Sequence, residues 1–381
     1  MDETRPPAPS TRKGLRIGSI LGVPIYVSAT WLLIAVVIVV VYGPTVSLRL
    51  PELSTVAAYA TAAGFVLLLF GSVLLHELGH AVVALRQGIG VRAMTLWMLG
   101  GYTEMEREPK TPKGEFLVAV AGPVVSLVLG CAGLAGLLFL DDGVVRELAL
   151  QVTFSNLSVA VFNILPGLPL DGGSLVRAAV WRFAGSRDTG TVAAGYSGRV
   201  VALLVIVGGL ALSLAGDANL GSIGLLFTVM VGVFLWFGAS QSIRAGRLSG
   251  RLPLLDARQL ARPCLTVEAD VPLAEALRRA QAAGARSLVV VDSDGTATAV
   301  VAEHAATAVP EDRRPWVPVS SVARTLEPGM IVPADLTGEG LLRALRTHPT
   351  TEYLVSEADR VVGVLVTTDV AETLDPKGST R

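Results

Sequence analysis

The residues His76-Glu77-Leu78-Gly79-His80 carry the strongest chemical signal in the chain. On a helix, positions i and i+4 lie one above the other, so the imidazoles of His76 and His80 share a face. Two neutral imidazoles so placed can take two corners of a tetrahedral zinc ion, and Glu77 beside them can accept a proton from water on that ion. The run that holds them, beginning Leu74-Leu75, is otherwise apolar. Ionisable groups within a membrane-spanning helix cost on the order of 2.5–3.5 kcal/mol each on insertion scales, so they need a partner or a cavity. No basic side chain lies near Glu77 in the sequence. A metal with trapped water satisfies all three polar groups, whereas a polar stripe serving helix packing leaves the carboxylate without a role.

Two histidines leave a zinc site short of a third protein ligand. The chain has 4 histidines, and His304 and His348 fall in its charged C-terminal third, so a carboxylate is expected. Asp171 is the candidate. It follows Asn163-Ile164-Leu165-Pro166-Gly167-Leu168-Pro169-Leu170, where two prolines break an apolar helix. Broken backbone at membrane depth is tolerated only where protein or a water-filled cavity satisfies it. Taken alone, Asp171-Gly172 reads as a turn capping a helix over 172–184. Beside the histidine pair, the need for a third ligand favours Asp171 in that role.

The elements that must position these groups are membrane spans. Of 381 residues 51% are hydrophobic and only 17% charged, against about 25% charged in ordinary soluble domains. A net charge of −1, from 31 basic and 32 acidic residues, gives no case for nucleic-acid binding. Cys131 and Cys264 make no disulfide framework and no thiolate metal site. With about 20 apolar residues needed per crossing, six spans are expected near 24–42, 56–85, 116–140, 148–165, 191–215 and 220–243. The fourth is the weakest, interrupted by Gln151, Asn156 and Asn163. Arg and Lys concentrate in the N-terminal tail and after spans two, four and six, which places both termini in the cytoplasm. Residues 1–20, Pro-rich and basic at the start, read as a disordered cytoplasmic tail rather than a signal peptide. Residues 88–106, with β-branched and aromatic residues and a Gly100-Gly101 turn signal, predict a β-ribbon at the cytoplasmic membrane face.

Past a linker at 246–253 the composition changes. Residues 254–376 hold a weak internal repeat, about 254–310 and 316–375, with 377–381 as a tail. Each unit runs strand, helix, strand, turn, strand: Leu265-Thr266-Val267, a helix at 272–283, then SLVVVDSDG and TAVVAEHA; and Met330-Ile331-Val332, a helix at 338–347, then EYLVSEADR and VVGVLVTTDV. That is a small α/β module in tandem.

With the motif residues in order on separate spans, the chain resembles the site-2 proteases, zinc metalloproteases that cut peptide bonds within membranes. The resemblance rests on His76-Glu77-Leu78-Gly79-His80 and on Asn163, Pro166 and Asp171-Gly172, with Gly122-Pro123 as a further family feature, and it covers most of 20–245. It implies zinc bound by His76, His80 and Asp171, one ion per chain, Glu77 as general base, and Asn163 helping to hold the substrate carbonyl or its oxyanion. It also implies that the 88–106 ribbon pairs with a substrate unwound into a strand. The tandem modules resemble cystathionine-β-synthase-type (CBS) domains. Gly363-Val364-Leu365-Val366-Thr367-Thr368-Asp369 matches the segment in which Thr367 and Asp369 would contact an adenosine ribose and phosphate. Ala302 and His304 stand at the aligned places of the first module, which loses the acidic contact there.

The expected molecule is therefore a multi-pass α-helical membrane protein, six transmembrane helices with a small membrane-associated β-ribbon, followed by a cytoplasmic α/β tandem CBS pair. Its expected activity is intramembrane zinc endopeptidase, with a single-span membrane protein as substrate, an adenine nucleotide at the CBS pair as regulatory input, a homodimer through that pair left open, and no nucleic acid. The rival reading is a CBS-gated metal or ion transporter using the His/Asp cluster as a transport site. Against it stand the lack of a repeated charged pathway and the presence of Glu77, which a transport site has no need of between its ligands.

Overall fold

The computed structural model describes residues 14–98, 100–214, 221–358 and 360–375. They divide into two compact units, one ending at Gly246 and the next beginning at Arg247.

The first unit holds α1 (Ala29–Arg49), α2 (Thr55–Arg86), α3 (Pro112–Gly136), α4 (Val144–Ile164), α5 (Asp171–Ala184), α6 (Arg187–Leu214) and all but the last three residues of α7 (Gly221–Ser249). Each of the first three begins on a hydroxyl cap: Ser28 accepts from the Trp31 amide, Ser54 from Ala57 and Thr111 from Gly114, the last with Pro112 at the first helical position. Such caps satisfy amides that have no partner within the helix. Among the described residues, five helices are long and apolar enough to cross a membrane: α1, α2, α3 with its short extension to Phe139, α6 and α7. The fourth expected span forms a helix, α4, but is not one of these five. Arg146, Glu147, Gln151 and Asn156 lower its apolar character. The 32 residues of α2 extend about 48 Å, well beyond the roughly 30 Å of a hydrocarbon core.

A four-stranded sheet packs on α2. Its strands β1 (Leu15–Ile20), β2 (Val23–Val27), β3 (Val91–Trp97) and β4 (Gly100–Met105) lie in that order. The expected ribbon is the β3–β4 hairpin, and two further strands join it. β1 pairs antiparallel with β2 across a Leu21-Gly22 turn at positive φ. β2 runs parallel to β3, with Ile25 opposite Met94. This corrects the reading of residues 1–20 as disordered: 15–20 are a strand, while 1–13 lie outside the described residues. The strand is held by main-chain pairing to β2, and its own side chains are nearly all exposed, so its composition carried no burial signal. Val23 and Ile25 meet Ala81 of α2 and Met94 of β3 in one buried cluster, which fixes the sheet against the helix that carries the histidines.

The second unit contains β5 (Cys264–Glu268), β6 (Ser287–Val291), β7 (Ala297–Val301) and β8 (Ala323–Thr325) in one sheet, and β9 (Ile331–Pro333), β10 (Glu352–Glu357) and β11 (Arg360–Val366) in another. Helices α8 (Ala257–Leu260), α9 (Leu273–Ala282), α10 (Glu303–Ala308), α11 (Gly338–Thr347) and α12 (Thr367–Leu374) accompany them. The repeat is thus real: β5-α9-β6-β7-α10 and β9-α11-β10-β11-α12. In both, the first strand runs parallel to the second and the third returns antiparallel. Val289 and Val300 of the first module and Leu354, Val364 and Val366 of the second share one apolar core. Ahead of β5, Arg262 exchanges main-chain hydrogen bonds of 2.9 and 3.1 Å with Val364, stitching the start of one module to the sheet of the other.

Candidate metal centre

Helical continuity of α2 places His76, Glu77 and His80 as the spacing requires, and all three are buried. Asp171 opens α5 and brings the third donor. Oδ2 of Asp171 lies 3.1 Å from His76 Nε2 and 3.3 Å from His80 Nε2, and the two nitrogens are 3.3 Å apart. Bonds of 2.0–2.1 Å to a tetrahedral zinc would space its donors about 3.3 Å apart. The triangle fits that ion, with two imidazoles and one carboxylate as ligands and a fourth position for water or substrate.

Helix α3 aims the imidazoles. His80 Nδ1 donates to the Val118 carbonyl at 2.7 Å, and His76 Nδ1 lies 2.9 Å from Ser126 Oγ. A carbonyl accepts only, so His80 carries its proton on Nδ1 and leaves Nε2 free to ligate. Ser126 is 1% exposed, so its hydroxyl serves His76 rather than solvent. Between these two contacts sits Gly122, where a Cβ would fall on Nε2 of both histidines. The glycine noticed in the sequence is therefore what lets α3 approach the metal face.

The broken segment 165–170 sets Asp171. Leu168 N–H donates to the Ala194 carbonyl of α6 at 3.1 Å, and Ser197 Oγ donates to the Pro166 carbonyl. Protein groups thus satisfy backbone that two prolines have removed from a helix, as burial demands. α5 is anchored further by a carboxylate: Glu115, in the first turn of α3 and 2% exposed, accepts from Arg177 of α5 and, at 3.0 Å, from Arg187 Nε at the start of α6. Arg187 also pairs with Glu108. Two guanidiniums on one buried carboxylate tie the starts of α3 and α6 to the middle of α5 beside the site, and truncating one partner of such a group is costly.

A cavity of about 470 Å³ opens from the metal face, its walls including Glu77, His80, Thr103, Asp171, Arg177 and Arg187. Among the described residues, no Lys or Arg pairs with Glu77 or Asp171. Thr103 Oγ of β4 donates to Glu77 Oε2 at 2.7 Å. Asn163 lies in the last turn of α4, half-buried, and, like His76, is not part of the cavity wall.

In the second unit, Thr367 and Asp369 open α12 side by side, but Asp369 is engaged. Arg262 Nε donates to its Oδ2 and Nη2 to its Oδ1, both at 2.7 Å, and Arg262 Nη1 donates to Glu303 at 2.7 Å. Asp369 first, then Glu303, pushes the pKa of the guanidinium above its usual range, against the opposing effect of burial. A cavity of about 400 Å³ lies instead against the first module, where Arg286, Ser287, Glu303, Thr307 and Arg314 contribute the polar wall, together with Glu352. Neither Thr367 nor Asp369 lines it. Ser126, Thr103, Glu115 with Arg177 and Arg187, and Arg262 were not singled out from the sequence. Of these, only Arg177 and Arg187 leave a trace there, as part of the positive charge that follows the fourth span.

The model of peptidase family M50 matches residues 64–152 and 140–207. A protein described as a putative zinc metalloprotease, sll0528 of Synechocystis sp., is 32% identical over 360 residues, 92% of this chain and 93% of its own. The solved site-2 protease of Methanocaldococcus jannaschii is 30% identical, covering 60% of this chain and 95% of its own, with a TM-score of 0.43. The CBS-domain containing protein ATU1752 of Agrobacterium tumefaciens is 21% identical, covering 31% of this chain and 92% of its own, with a TM-score of 0.26. The chain belongs to peptidase family M50 and is a zinc metalloprotease of the site-2 type.

Proposed function

We propose that this M50 metalloprotease cleaves a single-span membrane protein within the bilayer of the cell membrane, with α4 serving as a sixth span beside the five apolar helices and both termini in the cytoplasm. The observation that carries the reading is the convergence of His76 Nε2, His80 Nε2 and Asp171 Oδ2 beside a buried Glu77, on a helix long and apolar enough to span. When bound there, zinc supplies a Lewis acid for the substrate carbonyl and the attacking water.

The chain's own residues do the rest. Glu77 takes a proton from the attacking water and returns it to the leaving nitrogen as the peptide bond breaks. Val118 and Ser126 hold the imidazole rings, and the Glu115–Arg177 pair steadies the helix that presents Asp171. Among the described residues β4 is the outer strand of its sheet, so an unwound substrate can pair along that edge and expose its carbonyls. Asn163 is assigned to the substrate carbonyl by the family resemblance. In the second unit, an adenine nucleotide held through Thr367 and Asp369 would be the regulatory ligand, and it would have to displace Arg262 from Asp369. The transporter reading gains nothing from the site, since a base beside the ligands serves hydrolysis and not passage.

The test is cleavage of a single-span reporter in proteoliposomes. Glu77→Gln should retain zinc and lose turnover by orders of magnitude. A variant that cleaves at near-normal rate would remove Glu77 from the reaction.

A further inference from the structure

Strand β4 grips Glu77 at two points. The Thr103 hydroxyl has two acceptors on that residue, carboxylate Oε2 at 2.7 Å and the main-chain carbonyl at 3.2 Å. It carries one hydrogen, and the nearer, charged acceptor is the stronger. Gly101 lies two residues earlier and so on the same face of the strand. A Cβ there would fall on Glu77 Cγ and on its carboxylate, so the strand lies directly on the side chain. Oε1 has no hydrogen-bond partner among the described residues, and Glu77 lines the cavity.

We propose that Thr103 is a positioning residue that gives the two oxygens of Glu77 different tasks. Oε2 is anchored to β4, and Oε1 handles the proton. An O–H bond of the attacking water breaks and its proton goes to Oε1, while the water oxygen bonds to the substrate carbonyl carbon. As the C–N bond breaks, the proton passes from Oε1 to the leaving nitrogen. The inference rests on the protease reading and deepens it. If the substrate pairs along β4, base and scissile carbonyl are held by one strand, which removes freedom that would otherwise be lost in the transition state.

The experiment uses the full zinc-loaded chain in proteoliposomes with a single-span reporter, comparing wild type with Thr103→Val, Thr103→Ser, Glu77→Gln and the Glu77→Gln/Thr103→Val pair. Thr103→Val should keep its zinc and a KM within about twofold while kcat falls roughly tenfold to a hundredfold, the loss expected for one hydrogen bond to a charged group. Thr103→Ser should recover most of that loss. Adding Thr103→Val to Glu77→Gln should cost nothing further, because no base remains to aim. A second readout needs no turnover: the infrared difference between wild type and Glu77→Gln isolates the Glu77 carboxylate band, which Thr103→Val should shift and Thr103→Ser should preserve. A kcat within twofold of wild type, an unmoved band, or a raised KM at normal kcat each overturns the proposal. Wild type that cleaves alongside Thr103→Val that cleaves equally well sinks this inference alone. Wild type that cleaves nothing sinks the protease reading and takes this inference with it.

Discussion

Asp171 and Asp369 are both carboxylates singled out by short motifs, and their surroundings differ in one decisive respect. Asp171 pairs with two imidazole nitrogens and, among the described residues, with no guanidinium. Asp369 is clamped at both oxygens by Arg262. A carboxylate converging with lone-pair donors in a buried place calls for a cation from solution. A carboxylate in a bidentate guanidinium fork already has its cation from the chain. The motif names residue types in both places, and only the neighbouring charge separates a site ready for a ligand from one in which a ligand must compete.

The largest effect that could break this comparison is loss of the metal. Asp171→Ala should lower bound zinc and reduce cleavage about a thousandfold or more, since two imidazoles alone do not complete a three-ligand protein site. Asp369→Ala in the same membranes should leave zinc and basal cleavage within about twofold. Zinc-to-protein stoichiometry and reporter cleavage on the two variants read both claims, and undiminished zinc in Asp171→Ala would contradict the assignment.

A smaller effect sharpens the metal side. At Gly122 a methyl group would occupy the space of both ligating nitrogens, so Gly122→Ala should weaken zinc by roughly tenfold to a hundredfold, on the scale of disturbed ligand orientation. Gly136→Ala, on the same helix but with open space around it, is the matched control and should leave zinc unchanged. Competition with a chromogenic chelator measures the pair. Equal affinities would mean that α3 gives way without disturbing the ligands.

What was legible in the sequence divides along the same line. The pair His76 and His80 needed only helical periodicity, and the break before Asp171 needed only two prolines, so both were readable locally. The tandem module was readable because its strand and helix signals repeat. The side chains that hold the site were not, because they join distant segments: Ser126 meets His76 across α2 and α3, Glu115 meets Arg177 and Arg187, and Arg262 meets Asp369 across 107 residues. Strand β1 escaped for a related reason, since its stability comes from main-chain pairing with β2 and its side chains face outward. Asn163 is named by the family motif alone: it sits in the last turn of α4, and no local pattern in the sequence assigns it a partner.

The smallest effects concern the clamp. If an adenine nucleotide binds through Asp369, Arg262 is its competitor, and Arg262→Met should tighten nucleotide binding by about tenfold, the scale of one released charged hydrogen-bonded contact. Adding Asp369→Ala should abolish the gain. Glu303→Gln should do little, because the Glu303 side chain is 61% exposed and exposed ion pairs contribute about 0–1 kcal/mol. Calorimetry on the full chain with ATP, ADP and AMP in turn orders the three variants. Weaker binding in Arg262→Met would reverse the assignment and make the guanidinium a phosphate ligand. Whichever sign is found, a nucleotide changes proteolysis only to the extent that it binds the active and inactive states differently, so the same titrations repeated on Glu77→Gln with and without reporter would measure that difference directly.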